Sequence, residues 1–174
     1  MGKIGLFFGP LKGSVHRVAD SIKIEMGEDN IEMVPVKNAS SVDLEKYDKI
    51  IFGISTVGKD SWDSSFSSND WGKFLPEVGK VDFSKKTVAI FGLGDHITYS
   101  NHFVNHIGLL ARELMKRNAK IIGQVSTDGY EFDESEAVID GRFIGLPIDE
   151  DFEPELTAGR VREWVGQIKP GFGL

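Results

Sequence analysis

Short apolar runs alternate with longer segments of helical periodicity along this chain. Five of these runs have the length and composition of buried strands: residues 4–8, 31–36, 48–55, 87–91 and 120–125. The segments between them carry apolar residues three and four positions apart, as amphipathic helices do. Alternating strands and helices favour a parallel sheet covered by helices on both faces. We therefore predict a single α/β domain over residues 1–174, built on a five-stranded sheet.

Individual residues mark the ends of several predicted elements. Ser14 is predicted to cap the first helix, and Gly27 is predicted to end it. Pro35 cannot donate a backbone hydrogen bond, so its strand is expected at an edge of the sheet. The helix after the fourth strand is predicted to carry Phe103 on its apolar face.

Charge and cysteine content restrict the possible functions. The formal net charge is −7 and the pI is near 5.1, so nucleic acid phosphates would be repelled. The same charge suits docking onto a basic protein surface, although solubility alone explains it equally well. Because the sequence contains no cysteine, disulfides, thiolate catalysis and cysteine-ligated metal or iron–sulfur sites are excluded.

Histidine spacing and hydropathy lead to expectations about metals and location. The histidines lack the spacing of a structural zinc site, and His102 and His106 fit two positions on one helix face. No stretch reaches the roughly 18 apolar residues of a membrane helix. The N-terminal residues 1–9 are too short and too rich in glycine for a signal peptide. We expect a cytoplasmic protein with no metal site and no membrane attachment.

A doubly wound sheet of order 2-1-3-4-5 accounts for the predicted strands. In such sheets ligands bind beyond the carboxyl ends of the strands, at the switch point between the first and third strands. Three loops meet there: residues 9–14, 55–69 and 92–101. Binding residues are therefore expected in these loops. The sequence shows no convincing set of catalytic residues.

Several stretches that together span the chain carry a family resemblance. They are residues 3–9 (KIGLFFG), 91–95 (FGLGD) with Tyr99, 126–132 (STDGYEF), 145–151 (GLPIDED) and 156–164. In this order and spacing they resemble the long-chain flavodoxins. The most specific match is residues 126–132, in the segment that splits the last strand of that family.

The resemblance implies a fold and a function. The fold would be a flavodoxin-like three-layer sandwich, a five-stranded parallel sheet of order 2-1-3-4-5 with helices on both faces and an insertion in the last strand. The implied cofactor is one non-covalent flavin mononucleotide (FMN). The implied function is low-potential electron transfer by a monomer between redox proteins: donors similar to flavodoxin/ferredoxin-NADP reductase, and low-potential acceptors.

The first loop matches the family's phosphate-binding loop in position but not in composition. It consists of Gly9, Pro10, Leu11, Lys12, Gly13, Ser14 and Val15. A Gly-rich turn before a helix offers backbone N–H groups and the positive helix end to an anion. The family's three hydroxyl residues are replaced here by Pro10, Lys12 and Val15. The Lys12 ammonium could pair with the phosphate instead; alternatively, it faces solvent and the phosphate site is weakened.

The other two loops would cover the faces and edge of the flavin ring. In the second loop the resemblance assigns Ser55, Thr56, Val57 and Gly58, but Val57 stands where the family tends to have a stacking Trp. Trp62 or Phe66 of this longer loop could fold over the ring instead, and we favour Trp62. In the third loop it assigns Gly92, Leu93, Gly94, Asp95, Tyr99 and His102, with Tyr99 as the second stacking residue. Asp149 matches a carboxylate near the ribityl chain.

Three functions stay open on these residues. The first is an electron carrier with bound FMN. The second is a binding module that has lost FMN or takes riboflavin, which the altered first loop suggests. The third is an FMN-dependent reductase using NAD(P)H, although no nicotinamide site is visible in the sequence.

Overall fold

The structure is a computed structural model that describes residues 2–55 and 70–174. Its main sheet contains β1 (Ile4–Phe8), β2 (Ile31–Pro35), β3 (Lys49–Ser55), β4 (Thr87–Leu93) and β5 (Lys120–Ile122). These strands are all parallel and follow the order β2-β1-β3-β4-β5. The predicted sheet order is therefore confirmed, and β2 with its Pro35 lies at an edge as expected.

Helices cover both faces of this sheet. They are α1 (Ser14–Met26), α2 (Ser41–Glu45), α3 (Asp70–Val78), α4 (Asn105–Lys116) and α5 (Thr157–Ile168). Successive strand side chains point to opposite faces, so Leu6 packs in the core beneath α1 and α5 while Phe7 packs in the core beneath α3 and α4. Short 3-10 turns follow or precede these elements at Glu28–Asn30, Val36–Asn38, Pro154–Leu156 and Pro170–Phe172.

The last position of the sheet is shared by two separate strands. β5 pairs with the start of β4, whereas β9 (Leu146–Ile148) pairs with the end of β4. The segment between them forms a small antiparallel sheet from β6 (Val125–Ser126), β7 (Val138–Ile139) and β8 (Arg142–Phe143). The predicted insertion in the last strand is therefore confirmed, and the chain contains one more small sheet than the sequence suggested.

The predicted strand over residues 120–125 is interrupted at Gly123. Gly123 has φ of 90°, a conformation that favours glycine and ends β5 at Ile122. A Cβ at this position would lie 2.7 Å from Nε1 of Trp164, whose N–H donates to the Gly123 carbonyl. The close approach of α5 thus requires glycine at the break.

Two helix starts differ from their predictions, while one helix end agrees. Gly13, not Ser14, is the N-cap of α1, and the Ser14 hydroxyl accepts a hydrogen bond from Arg17. Gly27 ends α1 with φ of 99°, as predicted. Phe103 is buried but precedes α4, because Val104 at the N-cap has a left-handed φ of 46°.

The insertion is held against the domain by aromatic packing and by α4. Phe103 contacts the rings of Tyr130, Phe132 and Phe143 at centroid distances of 5.9–6.1 Å. The Tyr130 hydroxyl donates to the Pro147 carbonyl at 2.8 Å. On α4, a Cβ added to Gly108 would lie only 2.0 Å from the carbonyl oxygen of Glu136. The insertion therefore packs directly on the α4 backbone.

Within the described part of the chain, no helix has the length and apolar character needed to cross a membrane.

Candidate functional site

A cleft opens beyond the carboxyl ends of β1, β3 and β4, at the predicted switch point. Its volume is about 240 Å³ over the described residues. Its walls are formed by Pro10, Ser14, Val15, Ser55, Leu93, Gly94, Asp95, Tyr99, Glu150 and Asp151. Each of the three predicted loops thus supplies at least one described residue to the same cleft.

The first loop brings the N-terminus of α1 to the cleft. Ser14 and Val15 open the helix and line the cleft, and helix geometry leaves the first backbone N–H groups without acceptors inside the helix. Those groups and the helix dipole favour an anion at this end of the cleft. The loop retains this property although Pro10 contributes no N–H.

Lys12 is exposed in this loop and adopts a left-handed φ of 65°. Its backbone N–H donates to Nδ1 of His16 at 3.1 Å. The His16 ring lies against Phe8, with 4.8 Å between the ring centroids. The hydrogen bond from Lys12 to His16 thus ties the first loop to α1. This hydrogen bond was not predicted from the sequence, although the spacing of four residues at a helix start could have indicated it.

The third loop is a tight turn built around Asp95. Its side chain accepts backbone hydrogen bonds from Ile97 at 2.9 Å and from Thr98 at 2.8 Å. The Gly94 N–H donates to the Ile148 carbonyl at 3.0 Å, which ties the loop to β9. Because the side chain of Asp95 is occupied in this way, the loop offers its backbone and the ring of Tyr99 to the cleft. Tyr99 is 42% exposed and can cover a planar ligand.

Glycines let the backbone at the ends of β1 and β4 approach neighbouring side chains closely. A Cβ at Gly92 would lie 2.5 Å from the Ile107 side chain, and a Cβ at Gly94 would lie 2.8 Å from Val104. Gly9 is in the same situation at the end of β1, where a Cβ would lie 2.6 Å from Val36. These glycines therefore permit close packing at the carboxyl ends of β1 and β4.

Asp149 lies beneath the cleft wall and is 1% exposed. One of its oxygens accepts the backbone N–H groups of Asp151 and Phe152, each at 2.9 Å. Its side chain therefore shapes the turn, and its contact with a ribityl chain stays a prediction. The neighbouring carboxylates Glu150 and Asp151 line the cleft instead, and the sequence interpretation did not single them out.

A cluster of His96, Asp149 and Glu153 joins the third loop to this turn. The second oxygen of Asp149 contacts Nδ1 of His96 and also accepts the His96 backbone N–H at 3.1 Å. Glu153 approaches the same ring nitrogen at 3.5 Å. Burial raises the pKa of Asp149, but hydrogen bonds from Phe152, His96 and Asp151 outweigh burial and hold the pKa below its usual value. No sequence pattern indicated this cluster, because its members are far apart in the chain.

The remaining predicted residues are placed as follows. Thr56, Val57, Gly58 and Trp62 lie outside the described residues. Leu11 and Gly13 stand in the first loop, with Leu11 37% exposed. His102 is exposed and lines a separate groove beside the insertion, so its contact with a ligand in the cleft stays a prediction.

Fold and cleft together define a doubly wound α/β protein with its ligand site at the topological switch point. The family model described as Flavodoxin matches residues 6–164. A flavodoxin of Nostoc sp. is 40% identical over 172 residues, which cover 99% of this chain and 98% of the relative. Flavodoxin 1 of Escherichia coli is 38% identical over 97% of this chain and 93% of the relative.

Solved structures agree with these sequence relatives. A crystal structure of Fusobacterium nucleatum flavodoxin bound to flavin mononucleotide superposes with a TM-score of 0.87. That protein is 28% identical, and the match covers 98% of this chain and 99% of the other. The chain belongs to the flavodoxin family.

Proposed function

We propose that this protein binds one FMN non-covalently in the cleft and carries single electrons between redox proteins. One observation carries the proposal: the N-terminus of α1 and the ring of Tyr99 face the same cleft at the switch point. The N-terminus of α1 would bind the phosphate, and the ring of Tyr99 would stack on the planar flavin. When bound, the flavin supplies the redox chemistry, because it accepts and releases electrons one at a time.

The described residues fit FMN in three respects. The first amides of α1 are oriented for a phosphate, with the Lys12 ammonium on the adjacent exposed turn. Tyr99 presents a half-exposed aromatic face. The backbone of Leu93, Gly94 and Asp95 lines the wall between them and offers donors and acceptors to the edge of a ring. The protein would bind and orient the cofactor, and it would limit access of water.

The rim of the cleft and the overall charge suit protein partners with basic surfaces. Glu150 and Asp151 stand at the rim, and the whole chain carries a net charge of −7. Complementary charge mainly accelerates the encounter of two proteins, which suits a carrier that must dock and leave quickly. We propose reductase-like donors and low-potential acceptors as partners, a monomeric carrier that is not an enzyme, and a cytoplasmic location.

The absorption spectrum of the freshly purified protein tests this function. We expect a yellow protein that releases FMN, identified by mass, in a ratio of about one per chain. Release of riboflavin would instead mean that the first loop no longer selects phosphate. A colourless protein that does not take up added FMN would contradict the electron-carrier function and leave a binding module.

A charge substitution at Lys12 tests the phosphate end of the cleft. We expect Lys12→Gln to weaken FMN binding by about tenfold, because a charge-assisted hydrogen bond contributes about 1.5–3 kcal/mol. Riboflavin, which lacks the phosphate, should bind both proteins equally. Affinities follow from quenching of flavin fluorescence on titration with FMN-free protein.

Lys23→Gln is the matched control, because Lys23 lies in the last turn of the same helix. It removes the same charge far from the loop and should leave FMN affinity unchanged. Equal FMN affinities for wild type and Lys12→Gln would show that Lys12 faces solvent and that the amides of α1 hold the phosphate without it.

A further inference from the structure

His16 stands in the first turn of α1 and reaches back to the first loop. A backbone N–H can only donate, so Nδ1 of His16 accepts the 3.1 Å hydrogen bond from the Lys12 N–H, and the ring carries its proton on Nε2. Nε2 lies 3.9 Å from a carboxylate oxygen of Asp20, and the ring packs against Phe8 at the end of β1. The loop, the next turn of the helix and the strand therefore all hold the ring.

The hydrogen bond to His16 fixes the backbone just before the helix. Lys12 has φ of 65°, a left-handed conformation that residues with a side chain seldom adopt. Gly13 follows as the N-cap and has no side chain that could accept the first backbone N–H groups of α1. In a capping box, a Glu or Gln at the position of His16 reaches back to the N-cap residue. Here the imidazole reaches one residue further, so the loop is fixed without an N-cap side chain that competes with an anion.

Arg17 orients the one hydroxyl group of the loop. Among residues 9–15 only Ser14 carries a hydroxyl, and Ser14 lines the cleft. Its Oγ accepts a hydrogen bond from the Arg17 guanidinium at 2.8 Å. A hydroxyl group that accepts on one side still has its own proton to donate. Arg17 thus leaves Ser14 with an O–H donor for an anion, in a helix whose first turn contains no carboxylate.

We propose that His16 and Arg17 are positioning residues that make the altered first loop selective for a phosphate, an inference that rests on the proposed binding of FMN. The loop lacks the three hydroxyl residues of the family. In their place, His16 fixes the backbone from which the Lys12 side chain extends, and Arg17 directs the Ser14 hydroxyl. Both residues act on the phosphate end of the cleft, so a flavin without a phosphate should bind independently of them.

The ratio of FMN affinity to riboflavin affinity measures this selectivity, because the two flavins differ only in the phosphate. His16→Leu removes the hydrogen-bond acceptor but keeps an apolar side chain against Phe8. We expect it to weaken FMN binding about fivefold and to leave riboflavin binding within about twofold of wild type. His16→Asn places an amide oxygen near the position of Nδ1 and should restore FMN affinity. Quenching of flavin fluorescence on titration with FMN-free protein gives both affinities.

A double-mutant cycle tests whether Arg17 acts through Ser14. Ser14→Ala removes the hydroxyl, and Arg17→Leu removes the guanidinium that orients it. Each should weaken FMN binding about threefold or more, and the double variant should lose no more than Ser14→Ala alone. Arg162→Leu is the matched control, because it removes an exposed guanidinium from α5, and it should keep wild-type FMN affinity. Losses that add in the double variant would mean that Arg17 acts by its charge alone, which would overturn its positioning role.

The outcomes for His16 also separate this inference from the proposed function. Equal losses of FMN and riboflavin affinity in His16→Leu would mean that the residue only supports the fold. Unchanged FMN affinity in His16→Leu, or a loss that His16→Asn does not restore, would mean that the acceptor has no role in phosphate selection. Each of these results would overturn the role of His16 while FMN binding stands. A wild-type protein that takes up no FMN would overturn the proposed function itself.

Discussion

Alanine in place of Gly108 is expected to destabilise the FMN-free protein by about 3 kcal/mol, although alanine normally favours a helix by about 1 kcal/mol. The added Cβ would lie 2.0 Å from the Glu136 carbonyl oxygen and 2.8 Å from the Ala137 backbone nitrogen. Both neighbours are backbone atoms, so no side chain can rotate to make room. Either α4 or the insertion must move, and the aromatic packing around Phe103 would be disturbed. Urea unfolding followed by circular dichroism measures the loss.

Gly166 on α5 provides the matched control for this substitution. It is exposed, and a Cβ there would meet no other atom within 4 Å. Gly166→Ala should therefore be neutral or stabilise the protein by up to about 1 kcal/mol. If Gly108→Ala and Gly166→Ala gave the same unfolding free energy, the close packing of the insertion on α4 would be contradicted.

Acid should destabilise the protein through His106, by about 3 kcal/mol at pH 4 relative to pH 7. This side chain on α4 is 5% exposed, and burial lowers its pKa from 6.5 to about 4. In the unfolded chain the ring returns to its ordinary pKa and binds a proton below pH 6.5. Between pH 6.5 and 4 the unfolded state therefore binds more protons than the folded state, and the stability falls as the pH falls.

Unfolding free energies of wild type and His106→Gln, measured from pH 7.5 to pH 4, isolate this contribution. Carboxylates such as Asp149 and Asp43, whose pKa values lie below their usual range, lose their own contributions under acid in both proteins. Across this range the unfolding free energy of wild type should therefore fall by about 3 kcal/mol more than that of His106→Gln. His102→Gln, which removes an exposed histidine, should follow the wild-type curve. Parallel curves for wild type and His106→Gln would mean that folding leaves the pKa of the His106 ring unchanged, which would contradict this prediction.

Much of the fold was predictable because its signals are local. The apolar run of β3 and the helical spacing of α1 each follow from a few neighbouring residues, and their alternation leaves few possible topologies. The departures have non-local causes. Gly123 breaks the last strand because Trp164 packs over it, and Val104 takes a helix-breaking conformation while packed in the core.

The site was predictable at the level of its loops and less so at the level of its side chains. Pro10, Ser14, Tyr99 and Asp95 line one cleft, since they follow strands whose carboxyl ends meet at one edge, and their contact with a cofactor stays a prediction. The pairing of His96 with Asp149 crosses 53 residues of sequence, and no local spacing encodes it. Carboxylates in an acidic run look alike in a sequence. Only the folded turn after β9 shows that Asp149 is buried while Glu150 and Asp151 line the cleft.

The shared last position of the sheet has a consequence for the order in which the protein can assemble during synthesis. The half of β4 that leads into the cleft gains its outer neighbour only from residues 146–148, late in the chain. Until that segment leaves the ribosome, β4 presents unpaired N–H and C=O groups beside the unfinished cleft, and such an edge readily pairs with other chains. The nascent protein can therefore form the five strands β1 to β5 while the wall of the cleft that follows β9 is still missing. Cofactor capture and protection from aggregation both begin when β9 docks.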